Sequence, residues 1–180
     1  MEQLLSAQQT ADALAELYRQ IDEHLAGQQG LAVIGIRTRG EVLAQRVVQR
    51  LRQAGRTVEH GVLDITFYRD DLSLRKGMPL VRATEIDFEL DDKLVLLVDD
   101  VLATGRSVRA ALDALTDFGR PRAIRLGVLV DRGGRELPIA ADFIGASLQV
   151  PPDARVQVRL QEQDGLEGVF LVSAKRPRKK

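Results

Sequence analysis

Read for its apolar positions, the chain alternates between two periods. From Ala7 onward, Ala11, Leu14, Leu17, Ile21 and Leu25 recur at helical spacing, and the stretch from Gly27 to Gly30 ends the stripe. Residues 31–36 (LAVIGI) form a short continuous apolar run, which suits a strand covered on both faces. Val42, Leu43, Val47, Val48 and Leu51 give a second helical face, closed by Gly55. Residues 58–66 read as a strand, 94–98 as another, and 107–118 as a helix that presents Val108, Ala111, Leu112, Leu115 and Phe118 on one side and stops at Gly119. Residues 123–130 are a further apolar strand. Two segments break the rhythm: 67–93, polar with Gly77 and Pro79 inside, reads as a long excursion or exposed hairpin, and 131–145 is polar and glycine-bearing. Near the end, Val156, Val158 and Leu160 alternate with polar residues, and 168–172 pairs naturally with them across a turn signal at Asp164-Gly165.

Helices alternating with apolar strands imply βαβ units, hence an α/β fold around a mainly parallel sheet. Such sheets bind ligands beyond the carboxyl ends of their strands, so the chemistry is expected after Ile36, Thr66, Val98 and Val130.

Composition narrows this without redirecting it. At 180 residues, 44% hydrophobic and 29% charged, the chain is expected to be one globular domain over 1–180. No apolar run approaches the ~18 residues needed to cross a bilayer, and the opening MEQLLSAQQTADALAELY lacks the basic start and apolar core of a signal peptide. The expectation is a cytoplasmic protein with no membrane partner. Without cysteine there is no disulfide or thiolate site, and His24 and His60 lie too far apart in sequence to argue for zinc. Twenty-six basic and 26 acidic residues cancel, leaving no overall field for nucleic acid. Only the end of the chain, about 173–180, is biased: Lys175, Arg176, Arg178, Lys179 and Lys180 read as a solvated, disordered tail, with a phosphate-contacting arm as the sharper alternative.

The candidate chemistry is concentrated in residues 94–115, LVLLVDDVLATGRSVRAALDAL. Asp99 and Asp100 follow five aliphatic residues. Thr104-Gly105-Arg106-Ser107 comes next and opens a helix. A helix amino terminus exposes unpaired N–H groups and partial positive charge, and with Thr104, Gly105, Arg106 and Ser107 it makes a phosphate seat. Carboxylates repel phosphate, so the acid pair needs another part of the same ligand, either hydroxyl groups or magnesium. A sugar phosphate satisfies both. Ordinary N-capping accounts for one Ser or Thr but not for a double acid at this spacing. Neither a P-loop nor a Gly-x-Gly-x-x-Gly fingerprint is present.

The stretch VDDVLATGRS resembles the phosphoribosyl-pyrophosphate (PRPP) signature of the type I phosphoribosyltransferases. With Gly35-Ile36-Arg37-Thr38-Arg39-Gly40, the block from Leu63 to Leu72 and the block from Leu129 to Ile139, the chain from about Leu31 to about Gly168 resembles the bifunctional pyrimidine operon attenuator / uracil phosphoribosyltransferase family, the PyrR type. That resemblance implies a central, mostly parallel sheet flanked by helices, a flexible lid and a small C-terminal hood or hairpin. It implies the reaction of uracil with magnesium-PRPP to give UMP and pyrophosphate, in a homo-oligomer that is a dimer or larger.

Carried over residue by residue, the resemblance puts Asp99 and Asp100 on the ribose hydroxyls and, indirectly, near a magnesium ion held mostly by PRPP. It puts Ala103, Thr104, Gly105, Arg106 and Ser107 around the 5′-phosphate. Arg37, Thr38, Arg39 and Gly40 become the pyrophosphate loop, Tyr68, Arg69, Asp70 and Asp71 the start of the lid, and Val130, Asp131 and Arg132 the base-reading segment. Asp99, Asp100, Arg39 and Arg69 are the expected catalytic set. Ala103 departs from the tyrosine usual in that family, and also from the acid common among purine-using relatives, which argues against the alternative of hypoxanthine or guanine salvage. The family's second role, gripping pyrimidine-operon leader RNA when a uridine nucleotide is bound, draws on cations that are thinned here. Gly134, Ala140 and Ala146 stand where basic residues are usual, and Arg135 remains as the RNA candidate.

Overall fold

The computed structural model describes residues 1–70 and 83–173. Its centre is a parallel five-stranded sheet built from β2 (Leu31–Ile36), β3 (Val58–Leu63), β4 (Leu94–Leu102), β5 (Ala123–Asp131) and β6 (Phe143–Ser147), in the order β3-β2-β4-β5-β6. Helices α1 (Ala7–Leu25) and α2 (Arg39–Gln53) cover one face, and α3 (Arg106–Leu115) covers the other. The two-residue period of a strand divides the core. In β2, Leu31 and Val33 pack toward α1 and α2, while Ala32, Ile34 and Ile36 pack toward α3. This is why the strand reads as unbroken apolar sequence. A second, antiparallel sheet joins β1 (Glu2–Leu5), β8 (Gly168–Ser173) and β7 (Ala154–Arg159) in that order.

Helix α1 begins where its sequence demands. Ser6 caps the Gln9 N–H, and the Gln9 side chain returns the bond to the Ser6 N–H. Thr10, Ala13, Leu14, Leu17, Ile21 and Leu25 form its buried stripe.

Several expectations need correction. The acid pair does not follow β4 but lies within it, because the strand continues to Leu102 through pairing of Asp99 with Val128 and of Val101 with Val130. Strand β3 ends at Leu63, and Thr66–Tyr68 is a 3-10 turn. The segment read as polar over 131–145 ends in the start of β6, which pairs parallel to β5. Strands β7 and β8 do pair antiparallel, but a one-turn helix, α4 (Gln161–Asp164), with Gly165 in the left-handed conformation after it, replaces a tight hairpin turn. Of the expected excursion, 71–82 lies outside the described residues. The remainder is not simply exposed, since Leu90 is fully buried and Glu85 bridges to Val62. Strand β8 runs to Ser173, and the basic tail beyond it also lies outside the described residues. Among the described residues no helix is long and apolar enough to cross a membrane.

Candidate active site

The carboxyl ends of β2, β3 and β4 surround a cavity of about 460 Å³. Its walls include Arg37, Thr38 and Arg39, then Asp64 and Thr66, Arg69, Asp99, Asp100, Val101 and Ser107, and Arg155 from β7. A larger cavity of about 1100 Å³ opens at the opposite, amino-terminal end of the sheet, where charges are already matched as Arg50 with Asp22 and Lys93 with Glu59. The smaller one is lined by Arg37, Thr38, Arg39, Arg69, Asp99, Asp100 and Ser107 of the expected site residues.

Close packing of α2 against β4 brings the parts together. A Cβ on Gly40 would stand 2.5 Å from the Val98 carbonyl oxygen and 3.3 Å from an Asp99 carboxylate oxygen, so only glycine lets the helix start approach this closely. The Asp100 N–H donates to Asp99 Oδ1 (2.9 Å), and the Val101 N–H donates to Asp100 Oδ1 (3.0 Å). Burial pushes the Asp99 carboxyl well above its usual range, and the adjacent Asp100 charge adds to the rise. Burial also raises Asp100, with the Asp99 hydrogen bond and the Arg39 charge acting in the opposite direction.

Beyond the acids the chain turns at Gly105, whose φ of +91° is left-handed, and enters α3 with the Arg106 N–H donating a long bond to Thr104 Oγ1 (3.4 Å). Residues Val101 to Gly105, Ser107 and Val108 enclose a pocket of about 40 Å³ there. The loop is fixed from outside. Arg135 Nη1 donates to the Ala103 carbonyl (2.9 Å), and the Glu136 and Leu137 N–H groups donate to Thr104 O (3.0 and 3.1 Å). The Arg106 side chain pairs with Asp70 and, at 2.7 Å, with Glu136.

Each loop arginine meets a carboxylate. Arg37 pairs with Glu85 (2.6 Å) and less closely with Glu41 (3.5 Å), while Arg39 pairs with Asp164 (2.8 Å). The Arg37–Thr38 peptide is cis. At the start of the expected lid, Tyr68 bonds Asp117 through its hydroxyl, Arg69 Nη1 donates to Ser107 Oγ (3.1 Å), and Asp70 pairs with Arg106, so this stretch is docked on α3. Asp71 lies outside the described residues.

The residues of the expected base-reading segment lie beside the cavity's lining and not in it. Val130 is buried in the core, Asp131 accepts from the Gly133 N–H (2.9 Å) and from Arg135, and Arg132 Nη1 donates to Ala154 O (3.0 Å). None of the three lines the cavity. Arg135, the RNA candidate, bonds Asp131, Ala103 O and Ile139 O, so its guanidinium braces the loops around the site. Sequence reasoning missed Arg155, because an arginine alternating with valines in a strand looks like an ordinary solvent-facing residue. It also missed Glu85 and Asp164, which meet their arginines across 48 and 125 residues of chain.

A parallel sheet carrying paired acids in a central strand that leads through a left-handed glycine into a helix fits a phosphoribosyltransferase of type I fold, and residues 1–162 match the family model described as a phosphoribosyl transferase domain. Curated relatives narrow this further. "Bifunctional protein PyrR" of Roseiflexus sp. (strain RS-1) is 51% identical over 172 residues, covering 94% of each chain. The proteins of the same name from Deinococcus radiodurans and Thermus aquaticus are 50% identical (93% of this chain, 92% of the relative) and 49% identical (94% of each). The chain belongs to the PyrR family. Among solved structures, the hypoxanthine phosphoribosyltransferases of Trypanosoma cruzi (TM-score 0.71, 17% identity, 97% of this chain and 98% of that one) and Staphylococcus aureus (TM-score 0.66, 19% identity, 93% and 89%) share the fold.

Proposed function

We propose that this chain converts uracil and PRPP to UMP and pyrophosphate, with Asp99 and Asp100 on the ribose diol and the start of α3 on the 5′-phosphate. The observation that carries this reading is that buried Asp99, half-buried Asp100 and Ser107 in the first turn of α3 share the wall of one cavity. Carboxylates accept from hydroxyls, and helix N–H groups donate to phosphate, so the two halves suit the two ends of one sugar phosphate. In the transfer, the C1′–O bond to pyrophosphate breaks with its electron pair on the leaving oxygen. N1 of uracil bonds to C1′ and releases its proton. Arg37 and Arg39 supply positive charge where the leaving group's negative charge develops.

Asp99 and Asp100 also fit magnesium arriving with PRPP. Both are oxygen donors, and because burial opposes their ionisation, a nearby cation favours having both charged. Bound there, magnesium supplies charge against the leaving pyrophosphate. Ala103 offers no acid to partner a purine ring nitrogen, which supports a pyrimidine substrate. Assays with PRPP and each base test this. UMP should form from uracil and no nucleotide from hypoxanthine or guanine, and the reverse pattern would transfer the chain to purine salvage.

The relatives are named bifunctional, and we carry the second role, binding of pyrimidine leader RNA, as a weak one in this chain. Gly134, Ala140 and Ala146 offer no cation, and Arg135 is engaged internally.

A further inference from the structure

We infer that Asp164, at the end of α4, is a positioning residue that holds Arg39 in the orientation that receives pyrophosphate. The inference rests on the proposed transfer reaction and adds to it a residue outside the PRPP signature. Two loop arginines carry acids of opposite character. The Arg37 partner, Glu85, is 65% exposed, so an incoming phosphate can take its place at little desolvation cost. The Arg39 partner, Asp164, is only 16% exposed and grips side-on, with Arg39 Nη2 donating to Oδ1 (2.8 Å) and Nε to Oδ2 (3.3 Å). A planar guanidinium held along one edge has its orientation fixed.

Asp164 is itself fixed. Its Oδ2 accepts from the Leu160 N–H (3.0 Å), which closes the turn of α4. Next to it, Gln163 Nε2 donates to the Thr38 carbonyl (3.2 Å), so the same short element holds both the loop backbone and the loop cation. Arg46, two turns further along α2, is gripped by Glu162 (2.6 Å) and Glu167 (2.7 Å) on either side of Asp164. The small sheet is thereby clamped to α2 at three points, all centred on the helix that begins with Arg39. Burial raises the Asp164 carboxyl, but the Arg39 and Leu160 hydrogen bonds outweigh it and hold the group below its usual range, so the acid stays ionised. Arg39 also lines the cavity, and its charge acts on Asp100. Through Arg39, Asp164 of α4 is thus linked to the cavity and to the charge that acts on Asp100.

The test is a kinetic cycle of Asp164→Asn, Arg39→Ala and the double variant, with pyrophosphate binding followed by calorimetry. Asp164→Asn should raise the KM for PRPP and weaken pyrophosphate about tenfold, the size of one charge-assisted hydrogen bond, with the KM for uracil unchanged. It should add nothing in the Arg39→Ala background, and Asp164→Glu should recover part of the loss. A lower KM for PRPP would make Asp164 a competitor of the ligand and overturn the inference. A penalty that persists without Arg39 would overturn it too. Should Asp164→Asn not fold, Arg39→Lys keeps the charge and loses the two-point grip. The same rise in KM is expected there, and an unchanged KM would count against the inference. A wild-type protein that makes no UMP would refute the uracil reading alone, since pyrophosphate binding would still decide the role of Asp164.

Discussion

Asp99 is 7% exposed, and its carboxyl is raised by burial and by its neighbour Asp100. The unfolded chain ionises such a group near pH ~3.9, before the folded chain does. From that pH upward the folded state binds more protons, so stability falls as pH rises through the elevated folded value. Asp99→Asn removes the buried charge and should stabilise the ligand-free protein at neutral pH by a few degrees, since ~1 kcal/mol moves a midpoint at this chain length by about 2–4 °C. The gain should vanish as pH falls below ~4, which paired thermal melts from acid to neutral pH would check. At the next position, Asp100→Asn should lower kcat/KM for PRPP about 10- to 100-fold, the loss of one charge-assisted bond to a ribose hydroxyl, and an unchanged value would remove Asp100 from the site. The acid pair and the Thr104–Ser107 cradle were legible as neighbours in sequence. The partners of Arg37, Arg39 and Arg135 were not, because ion pairing is set by what the fold brings within reach.

At the scale of elements, the site depends on how closely α2 approaches β2 and β4. A Cβ on Gly40 would meet the Val98 carbonyl, and one on Gly35 would stand 2.5 Å from the Gly40 carbonyl oxygen, so one glycine sets the approach of α2 to β4 and the other its approach to β2. Both obstacles are backbone and cannot swing aside. Gly40→Ala should therefore cost about 1–3 kcal/mol by chemical denaturation and should also lower activity, by pushing the loop of residues 37–40 off the acid pair. Loss of activity at full stability would instead implicate the side chain's direct contact with ligand. The periodic helix α1 and the unbroken apolar run of β2 were evident in the sequence. The four-residue β1 and five-residue β6 were not, because strands this short carry no period of their own and form only against β8 and β5.

For the molecule as a whole, charge is balanced at 26 basic and 26 acidic residues, and the structure pairs much of it locally. Nucleic-acid affinity depends steeply on the number of phosphates neutralised. Filter binding to a pyrimidine leader RNA, with and without UMP, should give affinity well short of the ~10⁻⁸ M or tighter typical of specific nucleic-acid complexes. Tight, UMP-dependent binding would show that Gly134, Ala140 and Ala146 matter less than their lost charges imply. Sequence alone determined what is local and periodic: an α/β chain, its main helices and strands, and one stretch in which acids and an anion cradle adjoin. Adjacency along the backbone needs no folding to be read. Tertiary structure decided which carboxylates face which arginines, that the acids lie within a strand and not after it, and that the small sheet reaches Arg39 through Asp164. Those contacts join residues far apart in the chain, and their energies exist only once burial and packing have brought the groups together.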